Sequence, residues 1–180
     1  GEILQIEKSR SLNLSETDYY EIIERKTGSL FGCCFQLAAI SNNIKDSKKI
    51  EKLYNIGLKV GKIFQIKDDI LDYQSNKITG KLMGNDLKES KINLPLLYVI
   101  KKVSFFQRKK IFRILKKKKK SKDEILFLKY LVEKNEGIKF SENQMNTLKK
   151  EIIFELKQFK KSIYKNALIN LLGFIISRKK

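Results

Sequence analysis

Several residue types are scarce in this chain, and each shortage excludes a class of structure. The 180 residues include no histidine, no tryptophan, one proline and two cysteines. Without histidine no cysteine–histidine zinc site can form, and the adjacent Cys33 and Cys34 rarely satisfy the geometry of a disulfide with each other. We therefore expect both cysteines to be small buried hydrophobic residues in a reducing, cytoplasmic environment.

Long apolar runs are also missing. The longest, within LPLLYVI, is about a third of the ~20 residues that a membrane-spanning helix needs, so we expect no transmembrane segment. The chain begins at Gly1 rather than at methionine. We interpret it as a processed or partial product.

Negative charge is in short supply, since 20 Asp and Glu residues stand against 39 Lys and Arg, for a formal net charge of +19. Such an excess indicates either a polyanionic partner, nucleic acid or a diphosphate, or a composition biased towards lysine. Most of the lysines are dispersed over helix faces, which favours biased composition. The lysine run at residues 116–120 is expected to be a solvated loop, because no aromatic residues are interleaved with it.

Helical periodicity dominates the chain. Capping boxes that begin at Ser15, Ser121 and Ser141 predict helix starts, and the polar segment 74–91 is expected to be a loop. No run alternates with a period of two residues. The expected fold class is therefore all-α, in a single domain over residues 1–180. The most clearly predicted helices cover residues 16–40, 47–73 and 163–176.

Three carboxylates cluster in the stretch FQIKDDILDY. On a helix Asp68 and Asp72 share one face, Asp69 lies beside them, and Gln65 extends the same polar stripe by one turn. This pattern fits either an ordinary charged helix face or a site for Mg²⁺, which prefers oxygen ligands and often takes one or two carboxylates together with substrate phosphates.

The surrounding residues favour the second interpretation. Lys81 and Lys91 flank Asp86 in the glycine-containing segment that follows the helix, and Lys26 with Thr27 interrupts an apolar helix upstream. Acidic metal ligands together with several lysines fit a magnesium diphosphate, in which the metal bridges carboxylate and phosphate and the ammonium groups neutralise the remaining charge.

At this point the chain resembles a known family. GKIFQIKDDILDY at residues 61–73 and TGKLMGNDLKESKINLPL at residues 79–96 are similar to the second aspartate-rich motif and the following loop of trans-polyprenyl diphosphate synthases, especially the long-chain, octaprenyl-type bacterial members. The resemblance covers essentially the whole chain. It implies an all-α isoprenoid-synthase helical bundle around a central cavity, here partial and lacking the N-terminal helices, and usually a homodimer.

The resemblance also implies an activity and a metal. The enzyme would transfer the prenyl group of an allylic diphosphate to isopentenyl diphosphate with Mg²⁺, as in isoprenoid and quinone side-chain biosynthesis. Asp68 would bind the metal directly, Asp69 and Asp72 would bind it directly or through water, and Asp86 would orient a metal-bound water.

Two further groups of residues acquire roles by resemblance. Lys26, Lys81 and Lys91 would bind the allylic diphosphate. Thr27 and Gln65 would line the cavity beside the cationic carbon and stabilise its charge with their oxygen atoms.

The chain departs from the family pattern in one major respect. The family's first aspartate-rich motif and most of its isopentenyl diphosphate site are absent, so we expect a C-terminal portion that is inactive alone. A non-catalytic subunit or a remnant of a heteromeric synthase is the alternative, and a basic helical nucleic-acid binder is a further one. Smaller departures are Gly28 in place of alanine and Ser90 in place of glycine.

The last predicted helix has a wide apolar face, which ends in the basic residues RKK. Packing of this face within the bundle is the favoured interpretation. Peripheral membrane contact, helped by a lipophilic product, is the alternative.

Overall fold

The computed structural model describes residues 1–11, 14–74 and 84–179, with only the backbone described for residues 9–11. These parts of the chain are helical, with turns and short connections and no β-strand, which confirms the all-α prediction. Residues Glu24–Gly28 form a π-helical turn between the second and third α-helices of the chain. The α-helices are α1 (Glu2–Ser11), α2 (Glu16–Ile23), α3 (Ser29–Ser41), α4 (Ser47–Leu71), α5 (Asn85–Lys88), α6 (Leu94–Lys102), α7 (Phe105–Leu115), α8 (Lys122–Lys134), α9 (Gly137–Leu156) and α10 (Ile163–Ser177).

Side-chain caps begin several of these helices. At the start of α8 the Ser121 hydroxyl accepts from the Glu124 amide, and the Glu124 carboxylate accepts from the Ser121 amide, so the predicted capping box is confirmed. Ser15 makes the same reciprocal pair with the third residue of α2. The helix start predicted at Ser141 is wrong, because α9 already begins at Gly137 and the Ser141 hydroxyl donates to the Gly137 carbonyl at 3.0 Å.

The chain divides into two compact units, and the first comprises Gly1–Glu2, Tyr20–Lys67 and Gln144–Lys180. In this unit α3 and α4 approach closely because glycines face each other. A β-carbon on Gly57 would lie 2.6 Å from the Phe31 carbonyl oxygen, and one on Gly61 would lie 2.6 Å from the Gly28 α-carbon. The buried apolar side chains of the unit include Ile22, Ile23, Ile56, Val60, Ile63, Ile66, Met145, Ile152, Leu156, Leu172 and Ile175.

The second unit comprises Ile3–Tyr19 and Asp68–Asn143. Here α8 contacts both α5 and α6, and the first residue of α9 comes close enough to α6 that a β-carbon on Gly137 would lie 2.6 Å from the Pro95 carbonyl oxygen. Its buried apolar side chains include Tyr19, Ile70, Tyr73, Leu87, Leu94, Leu96, Val99, Ile111, Ile114, Leu128, Leu131 and Val132. The single domain expected over residues 1–180 stays a prediction.

One sequence expectation about exposure is wrong, and a second is confirmed only in part. Cys33 and Cys34 are exposed rather than buried, because α3 leaves one side uncovered in this chain, where Leu30 and Leu37 are exposed as well. In the lysine run, residues 116–119 are exposed as expected, but Lys120 is partly buried against the segment that follows α5.

None of the described helices combines the length and the apolar character that crossing a lipid bilayer requires. In α10, Leu172 and Ile175 are buried, whereas Leu171 and Phe174 on the same helix are exposed. The apolar face predicted for the last helix is therefore only partly covered in this chain.

Candidate metal and diphosphate site

The first two aspartates of the acidic cluster lie in the last turn of α4 and differ in their surroundings. Asp68 is half-buried, whereas Asp69 is 4% exposed. The Asp69 carboxylate accepts a hydrogen bond of 2.7 Å from the Tyr19 hydroxyl and one of 3.3 Å from the Leu94 amide. Asp69 thus holds the end of α4 to the neighbouring segments, a structural role that its sequence position alone does not indicate.

The third aspartate links the end of α4 to α5. One oxygen of Asp72 accepts from the Asn85 amide at 3.0 Å, and the other accepts from the Asp86 amide at 3.2 Å. The Gly84 amide also donates to the Asp72 carbonyl at 3.1 Å, and Gly84 has a φ of +75°, which glycine adopts without steric cost. Asp72 therefore caps the first turn of α5.

The carboxylates of Asp72 and Asp86 influence each other electrostatically. Burial raises the pKa of Asp72, and the negative charge of Asp86 raises it further, while the Asn85 and Asp86 amides counteract part of this rise. The Asp72 carboxylate, which follows α4, is thus held next to the acidic turn of α5 in surroundings that disfavour its negative charge.

A buried polar network supports Asp86. The Asn93 side-chain Nδ2 donates to the Asp86 carboxylate at 3.3 Å, and the Asn93 side-chain Oδ1 accepts from the Tyr73 hydroxyl at 2.6 Å. Burial raises the pKa of Tyr73 well above its usual value, so this tyrosine stays a neutral donor. Sequence reasoning missed both Tyr73 and Asn93, although both lie inside the quoted motifs.

Lys91 and Lys129, two described lysines of the second unit, have different surroundings. Lys91 forms an ion pair of 2.7 Å with Glu89 and stays partly exposed. Lys129 is buried, and its ammonium donates to the Tyr73 carbonyl at 3.2 Å. Burial lowers the pKa of Lys129, and no sequence signal marked this residue. Lys81, which the sequence predicts to bind diphosphate, lies outside the described residues.

The remaining predicted residues belong to the first unit. Lys26 and Thr27 lie in the π-helical turn, a distortion that is frequent at functional sites. The Thr27 hydroxyl donates to the Gln65 side-chain carbonyl at 2.9 Å, so the structure brings these two residues together. Lys26 forms an ion pair of 2.8 Å with Glu2.

No three carboxylates or thiols are gathered into a ready-made metal cluster in the part of the chain that the structure describes. Asp68, Asp69, Asp72 and Asp86 lie in the second unit, whereas Lys26, Thr27 and Gln65 lie in the first. The roles predicted for these residues stay predictions.

The acidic end of α4 and the acidic turn of α5 thus lie in an all-α protein, and comparison with known proteins identifies the family. The sequence profile of the polyprenyl synthetase family matches residues 1–133. The chain belongs to the polyprenyl synthetase family.

Individual relatives are similar over nearly the whole chain. Octaprenyl diphosphate synthase of Haemophilus influenzae is 29% identical over 181 aligned residues, which cover 99% of this chain and 54% of that protein. The geranylgeranyl pyrophosphate synthase structure from Bacteroides thetaiotaomicron superposes with a TM-score of 0.90 at 31% identity, covering 98% of this chain and 58% of that one.

A second solved structure is that of a polyprenyl synthase from Caulobacter crescentus, complexed with calcium and isoprenyl diphosphate. It superposes with a TM-score of 0.90 at 29% identity and covers 99% of this chain and 55% of that one. The chain thus spans about half the length of the relatives that it matches.

Proposed function

We propose that this chain is part of a trans-polyprenyl diphosphate synthase and that its share of the site binds the Mg²⁺-bound diphosphate of an allylic substrate. The observation that carries the proposal is that the Asp72 carboxylate, at the end of α4, accepts from the backbone amides of Asn85 and Asp86, while burial and the negative charge of Asp86 raise the pKa of Asp72. A bound divalent cation would relieve this repulsion.

The carboxylates of the second unit are suitable ligands for Mg²⁺. Asp68, Asp72 and Asp86 are only half-buried and offer the carboxylate oxygens that this cation prefers. Asp69, with one oxygen engaged by Tyr19, would act directly or through a metal-bound water. When bound, the metal would neutralise the charge that develops on the leaving diphosphate. The complex of the Caulobacter protein with calcium, another cation that prefers oxygen ligands, supports this assignment.

Lysines would bind the oxygens of the diphosphate. The ion pairs of Lys26 with Glu2 and of Lys91 with Glu89 involve glutamates that are 63% and 60% exposed. Such exposed pairs contribute little stability, roughly 0–1 kcal/mol, so a diphosphate could replace the glutamates at small cost. Lys81 would join them.

Thr27 and Gln65 would stabilise positive charge on the substrate. Their hydrogen bond of 2.9 Å fixes the two side chains in one orientation before any substrate arrives. Oxygen atoms held in this way stabilise a developing cation without the cost of reorganising.

The reaction itself is a prenyl transfer. The carbon–oxygen bond of the allylic diphosphate breaks, and the diphosphate leaves with the electron pair. The double bond of isopentenyl diphosphate attacks the resulting allylic cation, and loss of a proton gives a chain longer by one isoprene unit. Exclusion of water protects the cation from hydrolysis. We further propose a homodimeric, cytoplasmic protein with a lipophilic product that allows peripheral membrane contact.

Binding of inorganic pyrophosphate, measured by calorimetry, tests this proposal because it needs no turnover. We expect Mg²⁺ to tighten binding and Asp68→Asn to weaken the Mg²⁺-dependent binding by about tenfold or more. Asp123→Asn, which removes an exposed carboxylate of α8, is the matched control. Equal binding with and without Mg²⁺ would overturn the proposal.

Turnover is a separate question. The sequence contains one DDxxD motif, at residues 68–72. We propose that these 180 residues do not catalyse the condensation alone. Product formed from farnesyl diphosphate, isopentenyl diphosphate and Mg²⁺ by this chain would refute that claim.

The second candidate is a non-catalytic subunit or remnant of a heteromeric synthase. The observation that favours it is the coverage of about half of each relative. The gene context decides between the candidates, because an in-frame segment upstream of Gly1 that encodes another DDxxD motif would exclude the second one.

A further inference from the structure

The partly buried lysine at the end of the lysine run is built into the turn that carries Asp86. The Lys120 ammonium donates to the Ser90 hydroxyl at 2.6 Å and to the Lys88 carbonyl at 3.1 Å. A third bond of 3.0 Å goes to the carbonyl of Lys117. An ammonium group has three protons to donate, so every donor of Lys120 has an acceptor. Burial lowers the pKa of Lys120, as expected for a cation that has lost part of its water.

The backbone of this turn needs outside support. Ser90 has a φ of +63°, in the left-handed region where glycine is the usual residue. The Lys91 amide donates to the Asp86 carbonyl at 2.8 Å, which together with the bond of the Ser90 amide closes α5 as a Schellman motif. The Ser90 hydroxyl donates to the Leu115 carbonyl at 2.7 Å while it accepts from Lys120. Glycine could make neither of these side-chain bonds.

Both ends of α5 are held from outside the helix. A helix of four residues is too short to be stable by itself. Asp72 accepts from the Asn85 and Asp86 amides at the first turn, and Lys120 donates to the Lys88 carbonyl at the last residue. Asp86 belongs to the first attachment and lies two residues before the second, so the position of its carboxylate depends on both.

We propose that Lys120 is a positioning residue which, with Ser90, fixes the C-terminal end of α5 and thereby the Asp86 carboxylate and the Lys91 segment for binding a metal-bound diphosphate. The ligand in this inference rests on the proposed function. The positioning rests on the hydrogen bonds alone and can be tested without any ligand. Lys120 acts through the turn, not by touching the diphosphate.

Lys120→Met tests the inference with two measurements on the whole chain. Hydrogen exchange of the Lys91 amide, followed by NMR without ligand, reports the turn, and calorimetry with Mg²⁺ and inorganic pyrophosphate reports the site. We expect exchange of this amide to accelerate about tenfold and pyrophosphate affinity to fall about tenfold, since bonds from a charged donor are lost. Lys119→Met, which removes a neighbouring exposed lysine, should change both values less than about twofold.

Further variants separate positioning from general stability. Lys120→Arg keeps a cationic donor and should recover part of both values. Ser90→Ala and Ser90→Gly both remove the hydroxyl, but alanine keeps the left-handed strain, so exchange of the Lys91 amide should be faster in the alanine variant. The buried amide of Ile100 in α6 should exchange at the same rate in every variant.

The outcomes are distinct. If Lys120→Met matches Lys119→Met in both measurements, or accelerates the Ile100 amide as much as the Lys91 amide, the inference is overturned. If the unsubstituted chain binds no Mg²⁺-pyrophosphate while Lys120→Met still accelerates only the Lys91 amide, the positioning is supported and the proposed function fails.

Discussion

The crossing of α3 and α4 in the first unit and the turn from Asp72 to Lys91 in the second are held together by different physical means. The crossing depends on the absence of side chains, since a β-carbon on Gly57 would lie 2.6 Å from a backbone oxygen and 2.8 Å from the Gly32 α-carbon. The turn depends on individual polar groups, because Asp72 caps one end of α5 and Lys120 caps the other.

This difference separates stability from function. Closely packed backbones leave no space for an added atom. Substitutions that add a side chain where α3 and α4 cross should therefore lower the free energy of unfolding of the whole unit. Hydrogen bonds on a short turn make a modest net contribution to stability but fix the position of carboxylates. Substitutions in the turn should therefore change binding more than they change stability.

Gly57→Ala should have the largest effect on stability. Its β-carbon meets backbone atoms of α3 that cannot move aside without shifting the helix, and overpacking of this kind costs about 1–3 kcal/mol. Urea denaturation of the purified chain measures the change.

Gly173→Ala is the matched control for this substitution. Gly173 also lies within a helix, but a β-carbon there would meet no atom within 4 Å. Both substitutions gain the same helix propensity, about 1 kcal/mol, so the difference between them isolates the contact. If Gly57→Ala were as stable as Gly173→Ala, close packing would not hold the crossing together.

Tyr73→Phe should have an intermediate effect, concentrated on the site. The substitution removes the hydroxyl that donates to Asn93 at 2.6 Å, and it should cost about 1 kcal/mol of stability. Because Asn93 in turn donates to Asp86, binding of Mg²⁺ and pyrophosphate should also weaken.

A control variant and a pH series complete the test of Tyr73→Phe. Tyr164→Phe removes a hydroxyl from a side chain that is 78% exposed and should leave both stability and binding unchanged. Burial raises the pKa of Tyr73 well above its usual value, so the stability lost in Tyr73→Phe should stay constant from neutral pH to about pH 9 and shrink above about pH 10, where the tyrosine of the unfolded chain ionises. Unchanged pyrophosphate binding in Tyr73→Phe would show that the network does not act on the site.

Sequence patterns predicted the helices well where periodicity was long and a cap was present. The start of α4 at Ser47 and the capping box at Ser121 are confirmed. By contrast α5 was missed, because four residues carry no periodic signal. The helix start predicted at Ser141 was wrong because a serine hydroxyl can donate to a carbonyl within a helix as readily as it can cap a helix start.

For the candidate site, the sequence suggested residues and roles, which stay predictions, but it did not indicate the hydrogen bonds that connect these residues. The family resemblance implied that Asp72 binds the metal, directly or through water, and that Asp86 orients a metal-bound water, yet it could not show that Asp72 also caps the turn that carries Asp86. The sequence likewise indicated a solvated Lys120, because burial of one lysine in a run depends on acceptors supplied by a distant segment. Contacts between residues far apart in sequence leave no mark in local composition.

Asp18 should have the smallest effect, because its bonds lie on the surface. Its carboxylate pairs with Lys8 at 2.8 Å and accepts from the hydroxyl and the amide of Ser15, and these partners hold its pKa well below the usual range. A lowered pKa in the folded state means that the stabilisation is present above the unfolded value of about 4 and is lost as the pH falls below it. The melting temperature of Asp18→Asn should therefore lie slightly below that of the unsubstituted chain at neutral pH, and the two should converge in acid. A gap that persists at low pH, or that exceeds the effect of Tyr73→Phe, would mean that exposed polar bonds matter as much as the buried ones around Asp86.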